Sequence, residues 1–279
     1  MIAVLGGLGA ALTWAVGTLS AARGSRLVGA TSVLAWVMIV GFAITAPFAV
    51  ATGIPNGVTA RDVAWFLVSG CGNVAGLLLA YSAMRVGKVS IVAPITSTEG
   101  AIAAVLAVVT GEALGLPSAL LLTAIAVGVV LASLTSSEGG GHTRQATLLA
   151  VAAAGSFGAG LFATAKVSNS LPLIWAVIPP RLVGVLVVAL PLLLRRRIHI
   201  ERAAIPFVLI SGVCEVVGFV SFSWGARHGI AVSAVLASQF AAFAAAAAFV
   251  VFHERLRRIQ VAGIATIIVC VAVLSAIRA

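Results

Sequence analysis

Two stretches of the chain, "SGCGNVAG" at residues 69–76 and "SGVCEVVG" at residues 211–218, nearly repeat each other. Each lies inside a long apolar run, and each sets one polar residue in its middle, Asn73 in the first and Glu215 in the second. Laying residue 69 on residue 211 extends the match in both directions. Leu67 meets Leu209, "RVG" at 85–87 meets "RHG" at 227–229, and Glu112 and Leu114 meet Glu254 and Leu256. Coincidences of Ala and Val are cheap in an apolar chain, but the Ser-Gly, Arg-x-Gly and Glu-x-Leu matches are not. One residue more of offset aligns the start of the chain as well: Thr13, Gly17, Ala21 and Arg23 fall opposite Ser156, Gly160, Thr164 and Lys166. Self-similarity over this length marks two copies of one structural unit.

Composition says what surrounds those units. Of 279 residues, 62% are hydrophobic and 9% charged, against about 45–50% and about 25% in soluble domains. The mean hydropathy is +1.21. The solvent of this chain is lipid. Its net charge of +10 points to no nucleic acid, because the basic residues fall in short clusters between apolar runs, such as "RRR" at 195–197 and "ERLRR" at 254–258. Clusters so placed face anionic headgroups and set orientation. Cys71, Cys214 and Cys270 show no CxxC spacing and have no nearby His, so they read as small buried hydrophobes, with no metal and no cofactor. The first run, beginning "MIAVLGGLGAALTW", has no basic leader and reads as a retained span.

A helix needs roughly 20 apolar residues to cross the hydrocarbon. Runs of that kind fall near 2–22, 29–51, 62–84, 89–110, 117–135, 146–166, 173–194, 204–226, 230–252 and 259–277. The low-hydropathy stretch "SSEGGGHTRQ" at 136–145 reads as a linker between a first unit, 1–135, and a second, 146–279. Five spans per unit is an odd number, so the second unit enters the membrane upside down. The expected fold is an all-α integral membrane protein, ten transmembrane helices arranged as two inverted five-helix repeats. Such repeats hold solute near the midplane, between the halves.

Ser69, Asn73, Gly76 and Ala80 share one helical face, as do Ser211, Glu215, Gly218 and Phe222. Stripes of small residues also serve plain helix packing, so the embedded charges carry more weight. Glu215 and Glu99 lie about ten residues into their spans, where a carboxylate costs roughly 2.5–3.5 kcal/mol. Either each is a neutral hydrogen-bonder to a neighbouring helix, or it faces a cavity and exchanges a proton for a cationic or zwitterionic solute. Both are proton-coupling candidates. Ser97 and Gln239 occupy matching points of spans 4 and 9 and are candidate lining residues with Asn73. Pro94, with Ser90 and Ser97 at helical spacing, loosens span 4. Tyr81, Trp14 and Trp224 are candidate aromatic walls, with interfacial anchoring as the alternative for the two Trp. Arg181, in "IPPRLVG", is deep and in need of a carboxylate such as Glu215 if span 7 begins at Leu173. If the span begins after Pro179-Pro180, it snorkels to the interface, and this second reading is preferred. Arg85, Arg227, Glu112 and Glu254 lie at span ends and read as headgroup or helix-terminus contacts.

With two five-span halves, "RVGKVSIVAP" leading into span 4, its echo "RHGIAVSAVL", and the endings "GEAL" and "HERL", the chain resembles the drug/metabolite transporter superfamily in its EamA-like, ten-span branch. The resemblance covers nearly the whole length. It implies an alternating-access carrier, often an exporter of amino acids, metabolites or drugs. It also implies a central cavity lined by spans 1, 3, 4, 6, 8 and 9, with spans 5 and 10 as scaffold. Asn73, Glu99, Glu215 and Gln239 fall on those lining spans; the partner of Glu99 in the other half is Ala241.

The expected partners are a small-molecule solute, protons and the lipid bilayer, in a bacterial plasma membrane; monomer and homodimer both remain open. Arg23, Arg26, Arg85, Lys88, Arg144, Arg195, Arg196, Arg197, Arg202, Arg255, Arg257 and Arg258 fall on one side, against Arg61, Lys166, Arg227 and Arg278 on the other, joined by Arg181 if it snorkels. The positive-inside rule then places both termini outside. The four His lie in loops or at span ends, with no HExxH, so no intramembrane enzyme is expected. A lipid or lipid-linked substrate carrier remains the alternative within transport, and a channel the alternative in mechanism.

Overall fold

A computed structural model of the chain describes residues 1–86, 92, 95–133, 143–240, 242–243 and 258–277. Among the described residues there is helix and no strand. In chain order the helices are α1 (Ile2–Val28), α2 (Ala30–Thr52), α3 (Ala60–Val86), α4 (Glu99–Val109), α5 (Leu116–Ser133) and α6 (Thr143–Ser170), followed by α7 (Leu173–Leu194), α8 (Ile205–Ala226), α9 (Ile230–Ala237) and α10 (Arg258–Ile277). Six of these, α1, α2, α3, α6, α7 and α8, are long and apolar enough to cross a membrane; shorter apolar helices occur at Glu99–Val109, Leu116–Gly128 and Val261–Cys270.

Their surfaces are distributed as lipid requires. Large side chains such as Leu67, Val109, Leu148 and Leu194 point outward and are exposed. The buried interior is rich in Ala, Gly and Ser, including Ala10, Ala103, Ala163, Ala231 and Ala237. Burying a large apolar side chain gains little when lipid is the alternative, so close approach of small residues is what holds such helices together. Cys71, read from the sequence as buried, is exposed. It lies one turn from exposed Leu67 on the outer face of α3.

Several boundaries depart from the apolar runs. α1 continues through the charged "RGSR" segment as far as Val28, and Gly29 alone turns the chain into α2. Its φ of 84° lies where a side chain would be strained. α4 does not join the helical residues before it smoothly. Ser97 and Thr98 form a tight turn there, with the Thr98 amide and hydroxyl both donating to Ile95 O. A matching turn at Ser238 and Gln239 ends α9, where the Ser238 hydroxyl donates to Val235 O. The turn before α4 thus lies within one residue of its counterpart in the other half.

The packing repeats itself with the halves exchanged. α1 lies along α8 as α6 lies along α3, α2 meets α8 as α7 meets α3, and α4 meets α6 as α9 meets α1. α4 with α9, α2 with α7, and α5 with α10 pair across the centre. The same exchange holds for individual contacts. Gly17 faces the Cys214 side chain where Gly160 faces the backbone of Gly72. Gly218 lies under the Trp14 ring where Gly76 lies under the Phe157 ring. Gly212 takes Val40 where Gly70 takes Val183. At each crossing a glycine lets a backbone or ring come closer than any larger residue would permit.

Helix ends are tied across the halves. The Glu112 carboxylate accepts from the amides of Ile230 and Ala231, at 3.0 and 3.2 Å, and so caps α9. Arg227 donates through Nε to Ser168 O and through Nη2 to Leu171 O, at 2.5 and 2.6 Å, and so closes the end of α6. These are the helix-terminus contacts anticipated for the two residues. The side chain of Arg85, and Glu254, lie outside the described residues.

Candidate functional site

The interior polar residues lie on several helices: Asn73 on α3, Glu99 on α4, Arg181 on α7 and Glu215 on α8, with Gln239 in the turn that ends α9. Glu215 is central. It lies in the middle of the buried face of α8, flanked by Val208, Ser211, Gly212, Phe219 and Phe222, all buried. The opposite face carries the outward residues Leu209, Val213, Val217 and Val220. Glu215 nevertheless keeps 22% of its side chain exposed. From that position on the helix, the open fraction faces the interior of the bundle and not the lipid.

Arg181 is its partner. α7 starts at Leu173 behind Pro172 and carries Pro179 and Pro180 within it, so Arg181 sits about 12 Å along the helix axis. Its side chain is 1% exposed. Snorkelling is therefore not what happens. The two prolines do not begin the span; they lie inside it, and the helix re-registers through a π segment at Val185–Ala189. Nη2 of Arg181 donates to Glu215 Oε2 at 3.4 Å, and the guanidinium carbon stacks over the Phe219 ring, 4.2 Å from its centre. Nη1 has no hydrogen-bond partner. Gly41 of α2 gives the aliphatic stem room: a methyl group there would lie 3.0 Å from Arg181 Cγ.

Glu99, at the first position of α4, is 5% exposed. Its backbone carbonyl presses on Gly158 of α6, and the backbone amide of Asn73 presses on Gly160, one half-turn away. Asn73 is buried with its Oδ1 unpartnered, and Gln239 is buried with its Nε2 unpartnered. Ser97 is buried in the turn before α4. Unpaired polar atoms in a dry interior are costly. Asn73 Oδ1, Gln239 Nε2 and Arg181 Nη1 are one acceptor and two donors of the kind a polar solute can satisfy.

Of the aromatic candidates, Trp14 is buried and stacks edge-on to Phe219 with ring centres 5.2 Å apart, so it continues the wall behind Arg181. Trp224 is outward and 42% exposed. Tyr81 lies on α3 and its side chain falls outside the described residues, as do Ser90 and Pro94. Phe219, Phe157 and Met38 were not singled out from the sequence. The two-copy alignment held the signal for the last two, since it sets Phe157 on Trp14 and Met38 on Arg181.

The match to a known family follows both copies. A family model described as the EamA-like transporter family matches residues 1–134 and 144–276. The chain belongs to the EamA-like transporter family. It is thus a multi-pass, two-repeat membrane protein of a transporter family, and the drug/metabolite transporter resemblance read from its motifs holds. No curated protein matches its sequence. A solved crystal structure of a protein aligns with a TM-score of 0.81 over 98% of this chain and 98% of that one, at 18% identity. At that identity the likeness shows a shared fold and nothing finer.

Proposed function

We propose that this EamA-like protein is a ten-span, inverted-repeat secondary carrier that exports small metabolites such as amino acids or amphipathic compounds across the cell membrane by alternating access. Its repeats are residues 1–135 and 146–279, joined by 136–145. Solute is held between them by Asn73, Glu99, Glu215, Gln239, Ser97 and Tyr81, and protons are the coupling ion, carried by Glu215 or Glu99. The packing in which each helix meets the counterpart of its partner supports the inverted repeat, because two halves related by exchange have two equivalent ways to rock.

One observation carries the functional reading. Glu215 is an ionisable group on the innermost face of its helix, open to the interior, and held by a single long hydrogen bond from a buried cation. A carboxylate kept only for structure would be closed and fully bonded, since a half-satisfied buried charge is destabilising. An open carboxylate on a loose partner suits a group that binds, releases and titrates.

The test is proton movement in proteoliposomes during uptake of a panel of amino acids and amines. Wild-type protein is expected to move protons only with a transported solute, in a saturable way, and Glu215→Gln to lose the coupling. Flux that never saturates would replace the carrier with a channel. Unchanged coupling in Glu215→Gln would move the proton to Glu99.

A further inference from the structure

We infer that Arg181 is the anchor for a carboxylate group on the transported solute, and that this carboxylate takes the place of Glu215, which accepts a proton as it lets go when the solute carries no cation of its own. The inference deepens the carrier reading and rests on it.

A guanidinium has a fork of donors that fits a carboxylate through two parallel bonds. In this protein Arg181 makes one bond to Glu215, at 3.4 Å, and Nη1 makes none. One face of the group is already covered by Phe219 and the stem is enclosed at Gly41, so the unused donors are fixed in direction. Nor does the fold need a cation at this point. The equivalent place in the first half holds Met38, which packs on Gly184 as Arg181 packs on Gly41. The charge has been added to one half only, together with the carboxyl that takes the place of Asn73. Glu215 has the other requirement of a displaceable partner, because it is the member of the pair that is open.

The charge balance fixes the proton. Before binding, Arg181 and Glu215 together carry no net charge. The ammonium of an amino acid cancels the charge of its carboxylate and leaves the sum neutral, whereas a solute whose only charge is its carboxylate adds one negative charge to the dry interior. Among the described residues no second cation adjoins the pair. A proton from the aqueous side therefore adds to the Glu215 carboxylate, giving a neutral carboxyl, while Arg181 keeps its charge and pairs with the solute. Carboxylates of amino acids stay ionised through the neutral range, so the titrating group is the protein's. Affinity for monoanionic solutes rises as pH falls.

The experiment measures equilibrium binding of leucine, phenylalanine, 3-phenylpropionate, phenylalaninamide and phenethylamine to the full chain in nanodiscs, across mildly acidic to mildly basic pH. The acids are expected to bind at least about tenfold more tightly than the amide and the amine, with the affinity of the monoanion 3-phenylpropionate rising up to about tenfold per unit fall in pH. Arg181→Lys should weaken the acids about tenfold or more, and Arg181→Gln should abolish the preference. Glu215→Gln should bind 3-phenylpropionate more tightly than wild type and with no pH slope. That variant keeps Arg181, so it decides the matter if Arg181→Gln does not fold. Equal binding of acid and amide, no binding of any carboxylate at millimolar concentration, or an unchanged pH slope in Glu215→Gln each overturns the inference. If the amine is bound and carried while the acids are not, the anchor falls and the carrier stands. If the flux assay moves nothing, the carrier reading falls with it.

Discussion

Met38 and Arg181 occupy equivalent places in the two halves: Gly184 packs against the Met38 side chain as Gly41 packs against that of Arg181. One step along the same interface, Asn73 stands where the other half has Glu215. A neutral pair in the first half is thus a charged pair in the second, on a shared backbone arrangement. The two charges differ from the repeat together, which is why neither is orphaned. It is also why a binding centre built on a symmetric frame is one-sided.

The pair should therefore be removable together and not singly. Glu215→Asn leaves a guanidinium that cannot deprotonate, at a cost of about 3–5 kcal/mol. Arg181→Met costs less, because Glu215 is open enough to take up a proton. The double variant, which copies the first half, is expected within about 1 kcal/mol of wild type and inactive in transport. Thermal unfolding in detergent measures all three. A double variant as unstable as Glu215→Asn alone would show that the first-half arrangement cannot be transplanted.

The crossing of α4 and α9 gives a second prediction. A methyl group on Gly100 would run into Ala234 O and lie 2.6 Å from the Ser238 hydroxyl, whereas one on Gly155 meets nothing within 4 Å. Gly100→Ala should cost about 1–3 kcal/mol by overpacking. Gly155→Ala should be neutral or add up to about 1 kcal/mol through helix propensity. Melting temperatures of the two variants side by side separate the effect of the crossing from that of glycine in a membrane helix. Equal shifts would mean the crossing has slack.

Glu112 is expected to matter to α9 and little elsewhere. Its carboxylate takes two amides at the start of that helix, so Glu112→Gln should weaken the cap by about 1 kcal/mol. Amide exchange at Ile230 and Ala231 should quicken about fivefold, while exchange in α2 stays at its wild-type rate. Faster exchange throughout would instead mark Glu112 as a determinant of global stability.

How much of this was legible in the sequence depends on the kind of signal. Asn73 and Glu215 could be matched because the repeat around them keeps Ser-Gly on one side and Gly on the other. Arg181 could not be placed, because Pro179-Pro180 reads as a helix start by the rules of water. In a bundle interior, prolines are tolerated within a span, and α7 continues past them through its π segment. The turns at Ser97-Thr98 and Ser238-Gln239 have no Gly or Pro at the turn itself. They are made by hydroxyls that take carbonyls three residues back, which residue type alone does not announce. Charged "RGSR" marked the edge of the apolar run but not the end of α1, since Arg and Ser are compatible with helix.

Glu99 and Glu215 should separate cleanly under the same substitution. Glu99 is closed in at the start of α4, and among the described residues no guanidinium pairs with it. Glu99→Gln keeps the shape and removes a buried ionisable group that has no counter-charge, so it should raise the melting temperature by a few degrees, about 1 kcal/mol in a chain of this size. It should also leave substrate-driven proton movement in place. Glu215→Gln removes the open carboxyl and strands Arg181 without a counter-charge, so it should lower the melting temperature and uncouple transport. Measuring stability and proton flux on both variants tests the assignment in one experiment. A Glu99→Gln protein that is more stable but uncoupled would make Glu99 the proton carrier and leave Glu215 only the task of holding Arg181.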